Sequence, residues 1–196
     1  MKKLCASLFL TIASVCSGIE CPMDVLIPSE EIAVKLKECA EQINKDYQEK
    51  NLTVVMVMKG AICVTSDLIR GLKIPFKLEC IQASSYGYNG TSGGDLTISC
   101  LDKLEIEGRD ILVVDDIFET GNTMLGICKQ IETKRPSSVK TLVLLVKDIE
   151  RKTTYRPDYV LFNIPNRFVI GYGLDYKELF RGLPDICAFV KDTPPF

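Results

Sequence analysis

The 196-residue sequence predicts an α/β fold with a mainly parallel central sheet flanked by helices. Largely apolar runs of strand length recur at 52–58, 111–114 and 139–146, the pattern of strands buried on both faces. Between them lie stretches whose apolar residues recur at helical spacing. The runs lead into Lys59-Gly60, Asp115-Asp116 and Lys147-Asp148. These are polar residues at the carboxyl edge, where open α/β sheets hold their ligands.

The first residues stand apart. Lys2 and Lys3 precede the apolar run Leu4 to Val15, and Cys16-Ser17-Gly18 follows. A charged start, an apolar stretch and small residues match a secretory signal peptide, and the run is short for a transmembrane helix. A start at Met23 competes with that reading; the chain would then have 174 residues, the 196 less the first 22. The expected division is an N-terminal appendage at 1–22, signal-like or a misassigned start, and one domain at 23–196.

Within that domain, Ser29 is the expected N-cap, and Glu30 and Glu31 suit the positive end of a helix. Ile32, Leu36, Cys39, Ile43 and Tyr47 give a helix over 30–49. A strand at 52–58 ends in Lys59-Gly60-Ala61, and 62–70 reads as helix. A strand is expected at 76–82. The segment from Ser84 to Gly94 is polar and carries four glycines, the composition of a functional or floppy loop. The strand at 111–114, a helix at 124–134 and the strand at 139–146 follow. Short strands near 159–163, 168–171 and 186–190 close the chain.

Composition narrows the chemistry. Hydrophobic residues make up 46% and charged residues 26%, with a formal net charge of -2. That balance supplies no basic field for a nucleic-acid backbone. With no histidine in the chain, imidazole shuttles, His triads and His metal ligands are excluded. A metal, if used, should be a hard cation such as magnesium on oxygen ligands. Nine cysteines form no CxxC pair, so free thiols buried in a reducing compartment are expected.

The run Val113-Val114-Asp115-Asp116-Ile117-Phe118-Glu119-Thr120-Gly121-Asn122-Thr123 carries most information. Small polar residues and a glycine before a helix let backbone N–H groups wrap an anion. Two carboxylates beside that cup suit sugar hydroxyls or magnesium. Both features together fit a phosphorylated ribose with a metal-bound diphosphate.

The run resembles the phosphoribosyl-diphosphate motif of type I phosphoribosyltransferases, and the chain is similar to the hypoxanthine/guanine phosphoribosyltransferase family over roughly 24–192. Five motifs agree in order. They are Met58-Lys59-Gly60-Ala61, Ser84-Ser85-Tyr86-Gly87, the acidic run, Leu144-Leu145-Val146-Lys147, and Arg167-Phe168-Val169-Ile170-Gly171-Tyr172-Gly173-Leu174-Asp175-Tyr176 with Phe180-Arg181 after it.

The resemblance implies a type I fold with a small base-binding hood and a Mg2+-dependent purine-salvage reaction. Phosphoribosyl diphosphate and a 6-oxopurine, hypoxanthine or guanine, would give nucleotide and diphosphate. Asp115 and Asp116 then match the acidic pair that serves ribose and magnesium, and Asp175 a residue near a second magnesium. Thr120, Gly121, Asn122 and Thr123 match the 5′-phosphate cup, with Asn122 where a lysine is common. Glu119 stands at the position of the proton acceptor for purine N7, normally aspartate, one methylene longer. Lys59, Gly60 and Arg181 match the diphosphate site. Lys147 matches the donor to the 6-oxo group, Phe168 the stacking ring and Val169 a backbone reader of the base. Ser85 and Tyr86 would sit on a lid. By resemblance the protein is also expected to be a homodimer or homotetramer of the cytoplasm that needs neither membrane nor nucleic acid; export is the alternative if 1–20 act as a signal. Two rivals stay open: a regulator of this fold that binds ligand with little turnover, and a xanthine-preferring relative.

Overall fold

The computed structural model describes residues 11–16, 19–85, 96–151 and 153–190. The charged start at Lys2 and Lys3, and Tyr86 with the glycines of the expected lid, lie outside the described residues. In chain order the elements are β1 (Thr11–Cys16), β2 (Ile19–Ile27), α1 (Ser29–Asp46), β3 (Leu52–Met58), α2 (Ile62–Gly71), β4 (Phe76–Ser85) and β5 (Leu96–Ser99). After a 3-10 turn (Leu101–Lys103) come β6 (Asp110–Phe118), α3 (Asn122–Glu132), β7 (Ser138–Lys147), β8 (Tyr159–Ile164), β9 (Val169–Ile170) and β10 (Ile186–Phe189).

The strands make two sheets. One is six-stranded in the order β5-β4-β3-β6-β7-β8. All its pairs are parallel except β4–β5, which is antiparallel. The other is four-stranded in the order β1-β2-β10-β9, all antiparallel, and forms the hood.

The runs are largely apolar rather than alternating because successive side chains serve two cores. Along β3, Val54 faces α1 and α2, where it joins Ile32, Leu36, Val64 and Leu68. Val55 and Val57 face the other side with Val113, Val143 and the α3 residues Met124, Ile127 and Ile131. Each such side chain contributes about 1.5–3 kcal/mol when fully buried. This double burial fixes the register of β3, β6 and β7, and so the alignment of their carboxyl ends.

Several local expectations change. The acids Asp115 and Asp116 lie within β6, not after it, because the ladder to β7 continues through Asp115↔Val143, Ile117↔Leu145 and Phe118↔Val146. Ser29 is not an N-cap. Pro28 holds that position, and the Ser29 hydroxyl donates to Glu30 Oε2 at 3.4 Å. The Ser29 N–H donates instead to the Asp185 carboxylate at 2.8 Å, tying the helix start to the approach to β10. Helix α1 stops at Asp46, three residues short of the expected end. The expected loop from Ser84 begins later, since Ser84 and Ser85 pair with Thr97 and Leu96 of an unforeseen strand. Strand β2 runs across the expected 22/23 boundary. Thiol burial is uneven: Cys128 and Cys187 are buried, but Cys80 and Cys100 are exposed. Among the described residues no helix is long and apolar enough to cross a membrane.

Candidate functional site

The carboxyl ends of β3 and β6 open into a cleft of about 350 Å³. Lys59, Gly60, Asp115, Asp116, Glu119, Thr120, Gly121, Thr123, Asp175 and Arg181 all line it. A larger groove of about 600 Å³ runs beside α1 and α2. We assign the chemistry to the smaller cleft, because six charged groups converge there at the end of a parallel sheet.

Its floor is the acidic pair. Asp115 Oδ1 accepts the Asp116 N–H at 3.0 Å, and Asp116 Oδ1 accepts the Ile117 N–H at 2.8 Å. Burial pushes the Asp115 carboxyl well above the usual range, and the neighbouring Asp116 charge adds to the push. Burial also raises Asp116, partly offset by its hydrogen bonds and by the Arg181 charge. Two carboxylates so close to an uncharged interior favour a cationic or hydroxyl-bearing partner.

Glycine sets the distance between this floor and its neighbours. A Cβ on Gly60 would lie 1.7 Å from Asp116 Oδ2, so only glycine lets the 59–60 turn rest on the acid. On its other side, a Cβ on Gly173, whose φ is +102°, would lie 2.1 Å from the Gly60 carbonyl oxygen. Three segments distant in sequence thus meet at Gly60, Asp116 through its carboxylate and Gly173 through its backbone. The sequence reading included Gly173 in a motif but gave it no role.

The basic groups form one network. Arg181 donates through Nη1 to the Gly173 carbonyl at 2.8 Å, and its Nη2 pairs with Asp175 at 2.7 Å and Glu178 at 3.3 Å. Its Nε is buried with no hydrogen-bond partner among the described residues. Lys59 Nζ reaches the same Glu178 carboxylate at 2.9 Å. Glu178 therefore holds the two cations expected to grip diphosphate. Sequence reading missed it because it falls in the gap between two recognised motif pieces.

At the opposite lip, Gly121 (φ +85°) turns the chain into α3. A Cβ there would meet Phe118 and Thr153 at 2.7 and 2.6 Å. Thr120 Oγ1 accepts the Asn122 N–H at 3.4 Å. The first-turn N–H groups of a helix have no acceptor within it, and Thr123 and Met124 of that turn line the cleft. Asn122 itself is exposed and is not part of the lining.

The residues expected at the base sit differently. Lys147, the buried last residue of β7, does not line the cleft; its Nζ pairs with the Glu119 carboxylate. Phe168 is 41% exposed, edge-on to Tyr176 at 5.7 Å and stacked with Phe189 at 6.3 Å. Its ring is an open platform rather than core. Val169 is buried in β9, opposite Ala188 of β10. Ser85 ends β4, with its side chain outside the described residues, as is all of Tyr86. The three aspartates do not make a ready metal cage: no group of three or more metal-ligating side chains forms among the described residues, and Asp175 is engaged by Arg181.

Comparison with known proteins agrees with this geometry. The family model described as "Phosphoribosyl transferase domain" matches residues 25–177. A hypoxanthine-guanine phosphoribosyltransferase of Streptococcus thermophilus is 37% identical over 82% of this chain and 89% of its own length. One from Crithidia fasciculata is 36% identical over 85% of each. A crystal structure of a hypoxanthine phosphoribosyltransferase from Staphylococcus aureus superimposes with a TM-score of 0.79 at 37% identity, covering 84% of this chain and 90% of that one. A Trypanosoma cruzi hypoxanthine phosphoribosyl transferase gives 0.78 at 39% identity, covering 84% and 90%. With identity at this level across most of both chains, and the cleft built as described, the chain belongs to the hypoxanthine-guanine phosphoribosyltransferase family.

Proposed function

We propose that the protein transfers the phosphoribosyl group of phosphoribosyl diphosphate to hypoxanthine or guanine, releasing diphosphate and IMP or GMP. The observation that carries this reading is the cleft itself. It joins an anion cup at the start of α3, a pair of buried carboxylates, and Lys59 with Arg181 across from them.

In this reading Thr120, Gly121, Asn122 and Thr123 bind the 5′-phosphate through hydroxyl and N–H donors. Asn122 takes part through its backbone, since its side chain adds no charge. Asp115 and Asp116 face the ribose hydroxyls. Lys59, the Gly60 turn and Arg181 receive the diphosphate, and a guanidinium suits its oxygens. To do so the diphosphate displaces the Glu178 carboxylate, which pairs with both cations.

Magnesium fits this donor set as a substrate-carried ion. Such an ion keeps water and phosphate oxygens and needs only one or two protein carboxylates, here Asp116 and Asp175, which both line the cleft. When bound it would neutralise charge on the departing diphosphate.

The base lies against Phe168, with its 6-oxo group toward Lys147 and the Val169 carbonyl at its edge. Ser85 and Tyr86 belong to a lid over the reacting centre. As the C1′–O bond to diphosphate breaks, the base nitrogen N9 bonds to C1′ from the opposite face. The proton on N7 passes to the Glu119 carboxylate. Glu119 and Lys147 must part from each other for this, since each occupies the other's proposed partner position.

The family match over residues 25–177 supports a catalytic domain there, and the pairing of β2 with β10 extends it to the hood sheet on both sides of the expected 22/23 boundary. Activity on free purine and phosphoribosyl diphosphate suits the cytoplasm, and we expect a homodimer or homotetramer there. The test is direct. Purified protein with Mg2+ and phosphoribosyl diphosphate should convert hypoxanthine or guanine to nucleotide, followed chromatographically. Ligand binding without turnover on hypoxanthine, guanine or xanthine would replace this reading with a regulatory one. Turnover of xanthine alone would reassign the base.

A further inference from the structure

We propose that Arg151 is the positioning residue for the base half of the site, acting as a clamp on Glu119 and Lys147. The inference rests on the function proposed above. The hydrogen-bonded register of β6 with β7 ends at Phe118↔Val146. Glu119 directly follows β6 and Lys147 is the last residue of β7, so the β6–β7 ladder no longer sets their separation. Arg151, from the segment between β7 and β8, spans that gap. Its Nε donates to the Glu119 carbonyl at 2.8 Å, and its Nη2 donates to the Lys147 carbonyl. Its guanidinium carbon sits 5.5 Å from the centre of the Phe118 ring, the last residue of β6. One planar group thus continues, through a side chain, the strand pairing that the backbone has given up.

The clamp accounts for the direct pairing of Glu119 with Lys147. With both carbonyls fixed, the backbone cannot drift to absorb the length of a glutamate. The extra methylene is expressed at the tip of the side chain, which reaches the Lys147 ammonium. Arg151 does not line the phosphate cleft. Its loss should therefore disturb recognition of the base and spare recognition of phosphoribosyl diphosphate.

Three variants separate this from general loop stability. Arg151→Ala removes the clamp. Arg151→Lys keeps the charge but replaces the planar fork with a single ammonium. Arg156→Ala is the control, because Arg156 also binds backbone carbonyls, those of Thr153 and Tyr155, but within its own loop. Steady-state kinetics would vary hypoxanthine at saturating phosphoribosyl diphosphate, and the reverse. The expected result for Arg151→Ala is a base KM raised about tenfold, with the KM for phosphoribosyl diphosphate within about twofold of the parent. Arg151→Lys should fall between, and Arg156→Ala should match the parent. If Arg151→Ala does not fold, Arg151→Lys alone carries the comparison. The idea is overturned if both KM values move together, if the base KM is unchanged in an active parent background, or if Arg156→Ala gives the same split. Calorimetric affinity for IMP provides the same comparison without turnover, so an inactive parent would refute the proposed function and leave the clamp separately testable.

Discussion

Replacing Gly60 by alanine tests the contact on which the cleft is built. The new Cβ would stand 1.7 Å from Asp116 Oδ2 and 2.4 Å from its Cγ, whereas real Cβ contacts essentially never fall below 3.0 Å. About 1.3 Å, the difference between 3.0 and 1.7 Å, must open. The turn cannot simply retreat, because Gly173 already packs against the Gly60 carbonyl from the other side. Either the acid moves or the Lys59 turn does. A displacement of about 1 Å at a reacting centre costs on the order of 100-fold in rate, or about 2.7 kcal/mol of transition-state stabilisation. We expect kcat/KM for phosphoribosyl diphosphate to fall by about that factor. Gly182→Ala is the companion, since nothing lies within 4 Å of its Cβ position. It should behave as the parent. A Gly60→Ala protein with parental kcat/KM would refute the reasoning.

Three further outcomes are expected. Glu119→Asp should keep or raise activity, whereas Glu119→Gln, which cannot take a proton, should lower kcat by about 100-fold; full activity of the glutamine variant would remove Glu119 from proton transfer. Leu112 is fully buried between the sheet and its helices, so Leu112→Ala should cost about 3 kcal/mol and lower Tm by on the order of 10 °C in thermal melts. The Tyr159 hydroxyl donates to Asp46, and that bond is the main reason the Asp46 carboxyl titrates below its ordinary 3.8. A depressed carboxylate stabilises the fold above its unfolded value and loses that contribution as pH falls through the folded one. The stability deficit of Tyr159→Phe in urea melts should therefore be full at pH 7 and shrink below pH 3.8; a deficit constant down to pH 2 would contradict the link.

The doubly buried core was legible in the sequence because its signal is local and redundant. Leu52 to Met58 reads as a strand from seven consecutive residues, and the structure returns those bounds. What escaped depended on partners distant in the chain. Asp115 and Asp116 look like the end of a strand by polarity, yet the β7 ladder holds them in β6. Ser29 has the chemistry of a cap, but its N–H is satisfied by Asp185, 156 residues away. The phosphate half of the site was readable from one contiguous run and one turn. The Glu178 bridge was not, since a surface glutamate acquires meaning only when Lys59 and Arg181 are placed beside it.

The hood sheet joins the early strand β2 to the late strand β10, with Ile27 opposite Ile186. This imposes an order on biosynthesis. A nascent chain that has emerged as far as Lys147 already holds the acidic pair, the α3 turn and the 59–60 turn on neighbouring parallel strands. Strand β2 has β1 on one side but still awaits β10 on the other, and Val169 has no strand to lie against until β10 arrives. Domains assemble as synthesis proceeds, and distant pairings come last. The 5′-phosphate cup and the acidic pair can therefore fold on the ribosome, while Arg181 at the diphosphate and the hood strands must wait for nearly the whole message to be translated.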